Sequence, residues 1–301
     1  MLSRAYFFLI LSCILWSLNP VANKYALMEI AVPQLVFLRT ICTALVMFVI
    51  TLSLGYSFKF KKIGWRPFIL GIIDPGLTSL FFVTSLTMLS ASNTLIIMAL
   101  MPFSQPILAS VFLKEKVQYS IFFGAIIALL GVVIFLSEEG IINEKGILGN
   151  LILLGVFSLF TLSQLITRKI MLSKTPTIIV TTSQMISASV VMSLNLVFFG
   201  NLDLPFIASS GTIMTIFYLV FALAIPFFLY NESMRYIEVG MASLVLVLII
   251  PFGFLFAAIF LGEDINIIKL IGAIIVMFGV VLPQISDYFV KGNKLIKDAN
   301  S

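Results

Sequence analysis

Apolar residues run along this chain in long unbroken blocks, and polar residues gather in short stretches between them. Runs of about 20 apolar residues cover the roughly 30 Å of a bilayer's hydrocarbon, and the pattern predicts ten such spans. They fall at about residues 5–27, 33–54, 67–89, 92–113 and 118–137, then 146–168, 177–199, 211–235, 240–261 and 266–284. The links between them, such as GYSFKFKKIGW, LKEKVQ, SEEGIINEKG and GNLDLP, are too short to hold a soluble domain. Span 1 follows Arg4, yet it is too long for the apolar core of a signal peptide and lacks a good small-residue cleavage pattern. It is read as part of the mature protein.

The ten spans are two sets of five. Gly124 to Val133 reads GAIIALLGVV and Gly272 to Val281 reads GAIIVMFGVV, identical at seven of ten positions, with both glycines in register. FLKE (Phe112 to Glu115) precedes the first copy as FLGE (Phe260 to Glu263) precedes the second, and Pro102 and Pro251 sit upstream of each. An internal repeat of about 150 residues follows, dividing the chain into halves at 1–140 and 141–301. Five is odd, so the second half enters the membrane upside down. Inverted repeats of this kind build secondary transporters, with the substrate site at the midplane between the halves.

Charge then sets the orientation. Cytoplasmic loops collect Lys and Arg. With the N-terminus inside, 14 of the 18 basic residues fall on the cytoplasmic side and three, Lys24, Lys145 and Lys269, on the other, with Arg39 inside span 2. Both termini are expected in the cytoplasm. KEK (Lys114 to Lys116) faces in while its repeat counterpart GED (Gly262 to Asp264) faces out, as an inverted repeat requires. The fold expected is therefore an all-α integral membrane protein of ten transmembrane helices in a 5+5 inverted repeat. A composition 61% apolar and 10% charged fits no soluble globule, so the net charge of +5 is a topology signal and not a nucleic-acid one. Cys13 and Cys42 lie singly in apolar runs and form no disulfide or metal pattern. The chain has no histidine, which excludes imidazole as base, ligand or proton carrier.

The spans, their 5+5 repeat and the segment SLTMLSASNTLIIMALMPFSQPILASVFLKEKV resemble the drug/metabolite transporter superfamily, specifically its EamA-like ten-span family. WSLNPVANKYA in span 1, Arg39 in span 2, LYNESMRYIEVGMASLVLVLIIP across spans 8 and 9, and the FLGE turn carry the same likeness. It covers about residues 5–285 and is specific for fold but not for substrate, because that family moves many small metabolites. The resemblance implies a central cavity lined mainly by spans 1, 3, 4, 6, 8 and 9, with spans 5 and 10 peripheral. Asp74–Pro75 departs from it, standing where small apolar residues would be expected.

Candidate functional residues are the polar and helix-breaking ones at depth. Pro102 and Pro251 fall at the midpoints of spans 4 and 9, and Pro75 and Pro226 interrupt spans 3 and 8. Proline removes a donor and frees a carbonyl, which at that depth must be satisfied by protein or a wet cavity. Matched interruptions in two halves point to a transport site, while the plain alternative is a bend. Asp74 lies eight residues past Arg66, about 12 Å along a helix. A carboxylate facing lipid there costs about 2.5–3.5 kcal/mol, so Asp74 faces the bundle, carries a proton, or both. It is the candidate coupling residue, against a structural pair with Arg66 or a cap for a broken helix. Glu232 and Arg235, three residues apart on one helix face, are a gate or an interfacial ion pair. Trp16 and Asn19 in span 1, Gln105 in span 4, Gln164 in span 6, and Tyr230 and Asn231 in span 8 are the candidate cavity residues, with Asn93 a weaker one at the outer mouth. Arg39, about 9 Å inside span 2, and Lys24 are given structural roles or an attraction for an anionic group. Gly124, Gly131, Gly272 and Gly279 are read as close-packing points.

These features predict a secondary transporter of small metabolites, foremost an exporter of amino acids or related compounds, working by alternating access between the halves. No GxxxxGK[ST] segment is present, so energy must come from an ion gradient, exchange or the substrate gradient. Uptake or exchange, and a channel or lipid flippase on the same fold, remain the alternatives. No enzyme activity, cofactor or metal is expected: HExxH chemistry needs histidine, GxSxG is absent, and no span pairs carboxylates at catalytic spacing. The partners expected are a small-molecule substrate, protons as candidate coupling ion and the lipid of a bacterial inner membrane, with no nucleic acid, for a monomer or homodimer.

Overall fold

The computed structural model describes residues 2–56, 63–91, 94, 99–116, 118–136, 144–173, 175–200, 209–262, 267–268 and 270–283. Among them helix is the only regular structure, as hydrocarbon demands of a chain that must satisfy its own backbone. The helices are α1 (Leu2–Ser17), α2 (Asn19–Ala26), α3 (Val32–Ser53), α4 (Arg66–Gly71), α5 (Thr78–Ser85), α6 (Met101–Leu113), α7 (Tyr119–Leu136), α8 (Glu144–Met171), α9 (Thr177–Phe199), α10 (Ser210–Ser233), α11 (Val239–Leu246), α12 (Ile249–Leu261) and α13 (Leu270–Pro283). Among the described residues, seven stretches are long and apolar enough to cross a membrane: Leu2–Ala26, Val32–Ser53, Arg66–Ser85, Gly146–Met171, Thr177–Phe199, Ser210–Ser233 and Val239–Leu261. Three shorter apolar helices, Met101–Leu113, Tyr119–Gly131 and Leu270–Pro283, lie within spans 4, 5 and 10. Asn93 lies outside the described residues.

Three of the spans are broken among the described residues, and the breaks have local causes. Span 1 breaks at Leu18, where Pro20 opens α2 from its first turn, a position that needs no proline N–H. Span 3 breaks between α4 and α5 at a π-helical turn, Ile72–Leu77, in which Asp74 leaves helical geometry (φ −144°, ψ 118°) just before Pro75. The Thr78 hydroxyl covers the Ile73 carbonyl at 2.5 Å. α6 starts at Met101 with Pro102 in its first turn, and span 9 breaks at Val247–Leu248 just before Pro251. Pro226 behaves differently from the expected interruption. α10 continues through it from Ser210 to Ser233, because a single missing donor is tolerated when neighbouring helices hold the segment.

The repeat is visible in the packing. α6 and α12 both end on a left-handed residue, Lys114 (φ 59°) and Gly262 (φ 68°), and the main-chain caps at these two turns close on the matching carbonyls of Ala109, from the Glu115 N–H, and Ala257. A Cβ on Gly124 would sit 2.4 Å from the Gly279 carbonyl oxygen, and one on Gly131 would sit 2.6 Å from that of Gly272. The first glycine of each copy thus meets the second glycine of the other, which is the isologous contact of two antiparallel copies about a two-fold axis. Other contacts obey the same rule. α1 packs on α10 as α8 packs on α5, while α3 lies along α9 and α6 along α11. Polarity is turned outside in: Phe7, Val49, Phe123, Phe198 and Met214 are exposed, whereas the buried Thr51 and Thr182 hydroxyls meet across α3 and α9 at 2.7 Å. Interhelical hydrogen bonds of this kind glue membrane helices.

Candidate functional site

The three breaks border one cavity of about 100 Å³. Span 1 contributes Trp16 and Asn19, α3 contributes Arg39, and span 3 contributes Asp74, Thr78, Ser79 and Phe82. Val156 and Phe160 of α8, Leu223 and Phe227 of α10, and Ile249 of α12 complete the wall. Spans 1, 3, 6, 8 and 9 were expected here; no described residue of span 4 is on the wall, and α3 is.

Trp16 is the hub of the aromatic side. Its ring lies 6.3 Å from Phe160 and 5.1 Å from Phe227, both edge to face, and 5.4 Å from Tyr230. Aromatic pairs in this range add to the stabilisation of burial alone. The opposite side is charged. Arg39 is 2% exposed, and its Nη1 donates to Asn23 Oδ1 at 2.8 Å. Asn23 is oriented in turn by donating from Nδ2 to the Asn19 carbonyl at 2.7 Å and to the Asn19 side chain. Nε of Arg39 has no hydrogen-bond partner among the described residues. Asp74 is 6% exposed and accepts from the Ser163 hydroxyl at 3.0 Å, and its main-chain carbonyl accepts from Gln184 Nε2 at 3.4 Å. Span 3 is seated hard on α9, since a Cβ on Gly71 would come within 2.2 Å of the Gln184 carbonyl oxygen. Neither hydrogen bond nor ion pair joins Arg39 to Asp74, nor Asp74 to Arg66. One small cavity is therefore bordered by a buried guanidinium and a buried carboxyl that do not satisfy each other.

The remaining candidate residues fall elsewhere. Asn231 is buried between α9 and α10, its Nδ2 donating to Gln184 Oε1 at 2.6 Å and Thr181 Oγ1 at 2.9 Å. Tyr230 reaches the site only through its ring. Gln105 and Gln164 are fully buried and off the cavity wall. Glu232 and Arg235 form an ion pair at 3.0 Å. Thr177 donates to Glu232 and accepts from Arg235 at 2.9 Å, while Arg235 Nη1 donates to the Met171 carbonyl at 3.3 Å. This pair borders a cleft of about 790 Å³ between α1, α3, α9 and α10, together with Arg4 and Tyr56 and away from Asp74.

A second ion pair went unread in the sequence. Arg168 Nε donates to Glu115 Oε1 at 2.7 Å, with each side chain 10% exposed. Arg168 Nη1 donates to the Met234 carbonyl at 2.6 Å, and Glu115 Oε2 accepts from the Val239 N–H at 2.8 Å, where a carboxylate also complements the start of α11. The pair latches the ends of α6 and α8 to the turn between α10 and α11. Glu115 and Arg168 are each merely a charge at a span end in the sequence, and no pattern links residues 53 apart. Arg39 was given a structural role, and its place on the cavity wall depends on how α3 packs. Across the molecule from the latch, Glu29 accepts from the Ser209 main-chain N–H at 2.9 Å. Hydrogen bonds from Ser209, and then from Thr212, hold the Glu29 carboxyl below its ordinary range.

Comparison with known proteins places these features in context. A family model described as the EamA-like transporter family matches residues 3–137 and again residues 147–283. A curated protein of Archaeoglobus fulgidus described as an uncharacterized transporter is 31% identical over 138 residues, which are 45% of this chain and 48% of that protein. The chain thus spans about half the length of that relative. A solved crystal structure of a protein, 15% identical in sequence, superposes with a TM-score of 0.77 over 93% of this chain and 97% of its own. At that identity the likeness is one of fold alone.

Proposed function

Because the chain belongs to the EamA-like transporter family, we propose that it is a secondary carrier that exports small zwitterions, amino acids or related compounds, by alternating access about the cavity at Trp16, Asn19, Arg39 and Asp74. The observation that carries this reading is the pair of buried, mutually unpaired opposite charges on one wall. A substrate carboxylate suits the donor fork of Arg39. A substrate ammonium suits Asp74, with the Trp16, Phe160 and Phe227 rings beside it. A molecule bearing both groups neutralises both ends at once.

The halves 1–140 and 141–301 rock about that cavity in a bacterial inner membrane, with both termini in the cytoplasm. In this orientation the Glu115–Arg168 latch closes the cytoplasmic side. Asp74 supplies the coupling proton, with exchange as the other source of energy, and the carrier acts as a monomer or homodimer. A second reading, a carrier of amphiphiles or lipid headgroups, is favoured by the 790 Å³ cleft, where Arg4, Tyr56, Glu232 and Arg235 stand over apolar walls.

Counterflow in proteoliposomes tests the proposal. Vesicles preloaded with amino acids are expected to accumulate a labelled amino acid, and vesicles preloaded with nucleosides, plain amines or plain carboxylic acids are not. Arg39→Gln is expected to weaken substrate affinity about 10²-fold, the scale of losing one partner of a buried charge pair. Counterflow that is equal for amines, acids and amino acids removes the zwitterion reading. Silence with every pool from folded protein removes the carrier reading.

A further inference from the structure

The cleft of about 790 Å³ lies apart from the central cavity and has a pattern of its own. Val46, Ile50 and Leu54 follow one another by four residues along α3 and its end, and Phe221, Ile225 and Phe228 by four and three along α10. Such spacings put each trio on one helix face, so two apolar stripes border the same cleft. Ile50, Leu54 and Ile225 are exposed, and no described residue covers them. Val46 to Leu54 rises about 12 Å along the helix, and Phe221 to Glu232 about 16 Å. Either length is close to half of the ~30 Å hydrocarbon thickness, which is the depth of one leaflet.

The polar residues of the cleft come from the start of α1 and the ends of α3 and α10: Arg4, Tyr56, Glu232, Arg235 and Tyr236. Arg4, Glu232 and Tyr236 also border an adjoining nook of about 140 Å³. The charges there do not cancel. Glu232 accepts from Arg235 at 3.0 Å and from Thr177. Arg235 spends its other nitrogens on Thr177 and on the Met171 and Thr175 carbonyls. Arg4 stands over the Phe8 ring at 4.9 Å and forms no ion pair among the described residues. A guanidinium left without a counter-charge suits a phosphate, and tyrosines suit the level of the headgroups. In the orientation proposed above this end is cytoplasmic, on the leaflet that carries anionic lipid, and basic pockets between helices there bind lipid headgroups. We infer that the cleft is a resident site for one anionic phospholipid of the cytoplasmic leaflet, with its phosphate on Arg4 and an acyl chain along the stripes of α3 and α10. The inference rests on the proposed orientation only for the choice of leaflet, and it holds whatever substrate the central cavity takes. It makes the cleft a seat for lipid and not a path.

Nanodiscs test the site, because both of their leaflets carry the same lipid and binding does not depend on which way the protein inserts. Discs of phosphatidylglycerol are compared with discs of phosphatidylcholine bearing the same acyl chains. Wild-type protein is expected to unfold about 2–4 °C higher in phosphatidylglycerol, and to retain one such lipid when released for native mass spectrometry. Arg4→Gln is expected to lower that retention about fivefold, the scale of one basic group at a membrane surface. Ile225→Trp, which fills the groove from an exposed position, is expected to abolish retention while unfolding like wild type in phosphatidylcholine. Lys169→Gln removes an exposed basic residue away from the cleft and is expected to stay within about twofold of wild type. Equal retention of the two lipids overturns the site, and so does an equal loss with Lys169→Gln, since the leaflet as a whole then supplies the attraction. The same thermal shift from glycerol 3-phosphate alone also overturns it, because a free phosphate then suffices. Protein-driven movement of a fluorescent phosphatidylglycerol across a liposome membrane overturns residence in favour of the amphiphile carrier. If Ile225→Trp unfolds early, the contrast between Arg4→Gln and Lys169→Gln decides alone. Termini found outside the cell would move the lipid to the other leaflet and leave the nanodisc result standing.

Discussion

At the scale of the residue, Asp74 combines burial with a place on the cavity wall, and the side-chain donors it meets, Ser163 and Thr78, are neutral hydroxyls. Asparagine in its place keeps the shape and still accepts from Ser163, but it cannot take up and release a proton. Asp74→Asn is therefore expected to abolish accumulation driven by an imposed pH gradient while leaving substrate exchange partly intact. Unchanged pH-driven accumulation in that variant would move the coupling group elsewhere. Asn231 stands between two helices, where its Nδ2 donates to Gln184 and Thr181, and it does not border the Asp74 cavity.

At the scale of the element, the seam between α7 and α13 is the clearest consequence of a motif. The glycines permit a backbone approach that any side chain would block, as in small-residue packing generally. Gly124→Leu drives a side chain into the Gly279 carbonyl and is expected to destabilise the protein by about 1–3 kcal/mol or more, read as a lower unfolding midpoint. Gly155→Ala on α8 is the control, because a Cβ there meets nothing within 4 Å. It is expected to be neutral or to stabilise by up to about 1 kcal/mol through helix propensity. Equal effects of the two would mean that the seam is not tightly packed.

For the whole molecule, the inverted arrangement makes a claim about sides. Reporters fused to the N-terminus and the C-terminus are both expected to read as cytoplasmic, and the KEK and GED turns to label from opposite faces. Termini on opposite faces would contradict an even number of crossings. The antiparallel contact of α7 with α13 and the matched α1–α10 and α8–α5 pairs are what two oppositely inserted copies produce, since each contact must occur twice.

The membrane character, the repeat and the polar candidates were legible in the sequence because each depends on composition or local spacing. A run of apolar residues senses hydrocarbon wherever it packs, and GAIIALLGVV and GAIIVMFGVV betray their common origin without any structure. Breaks at Pro75 and Pro251 were legible for a similar reason, as a missing donor acts within one turn. Pro226 was not, because whether a proline breaks a helix depends on what neighbouring helices supply. Pairing was left to the tertiary structure throughout. Only the packing of α3 brings Arg39 to the cavity that Asp74 borders, and only the meeting of α6 with α8 joins Glu115 to Arg168. It also leaves Gln105 and Gln164 buried off the wall of that cavity. Local sequence records which groups must be hidden from lipid, but which of them meet is decided by contacts between helices far apart in the chain.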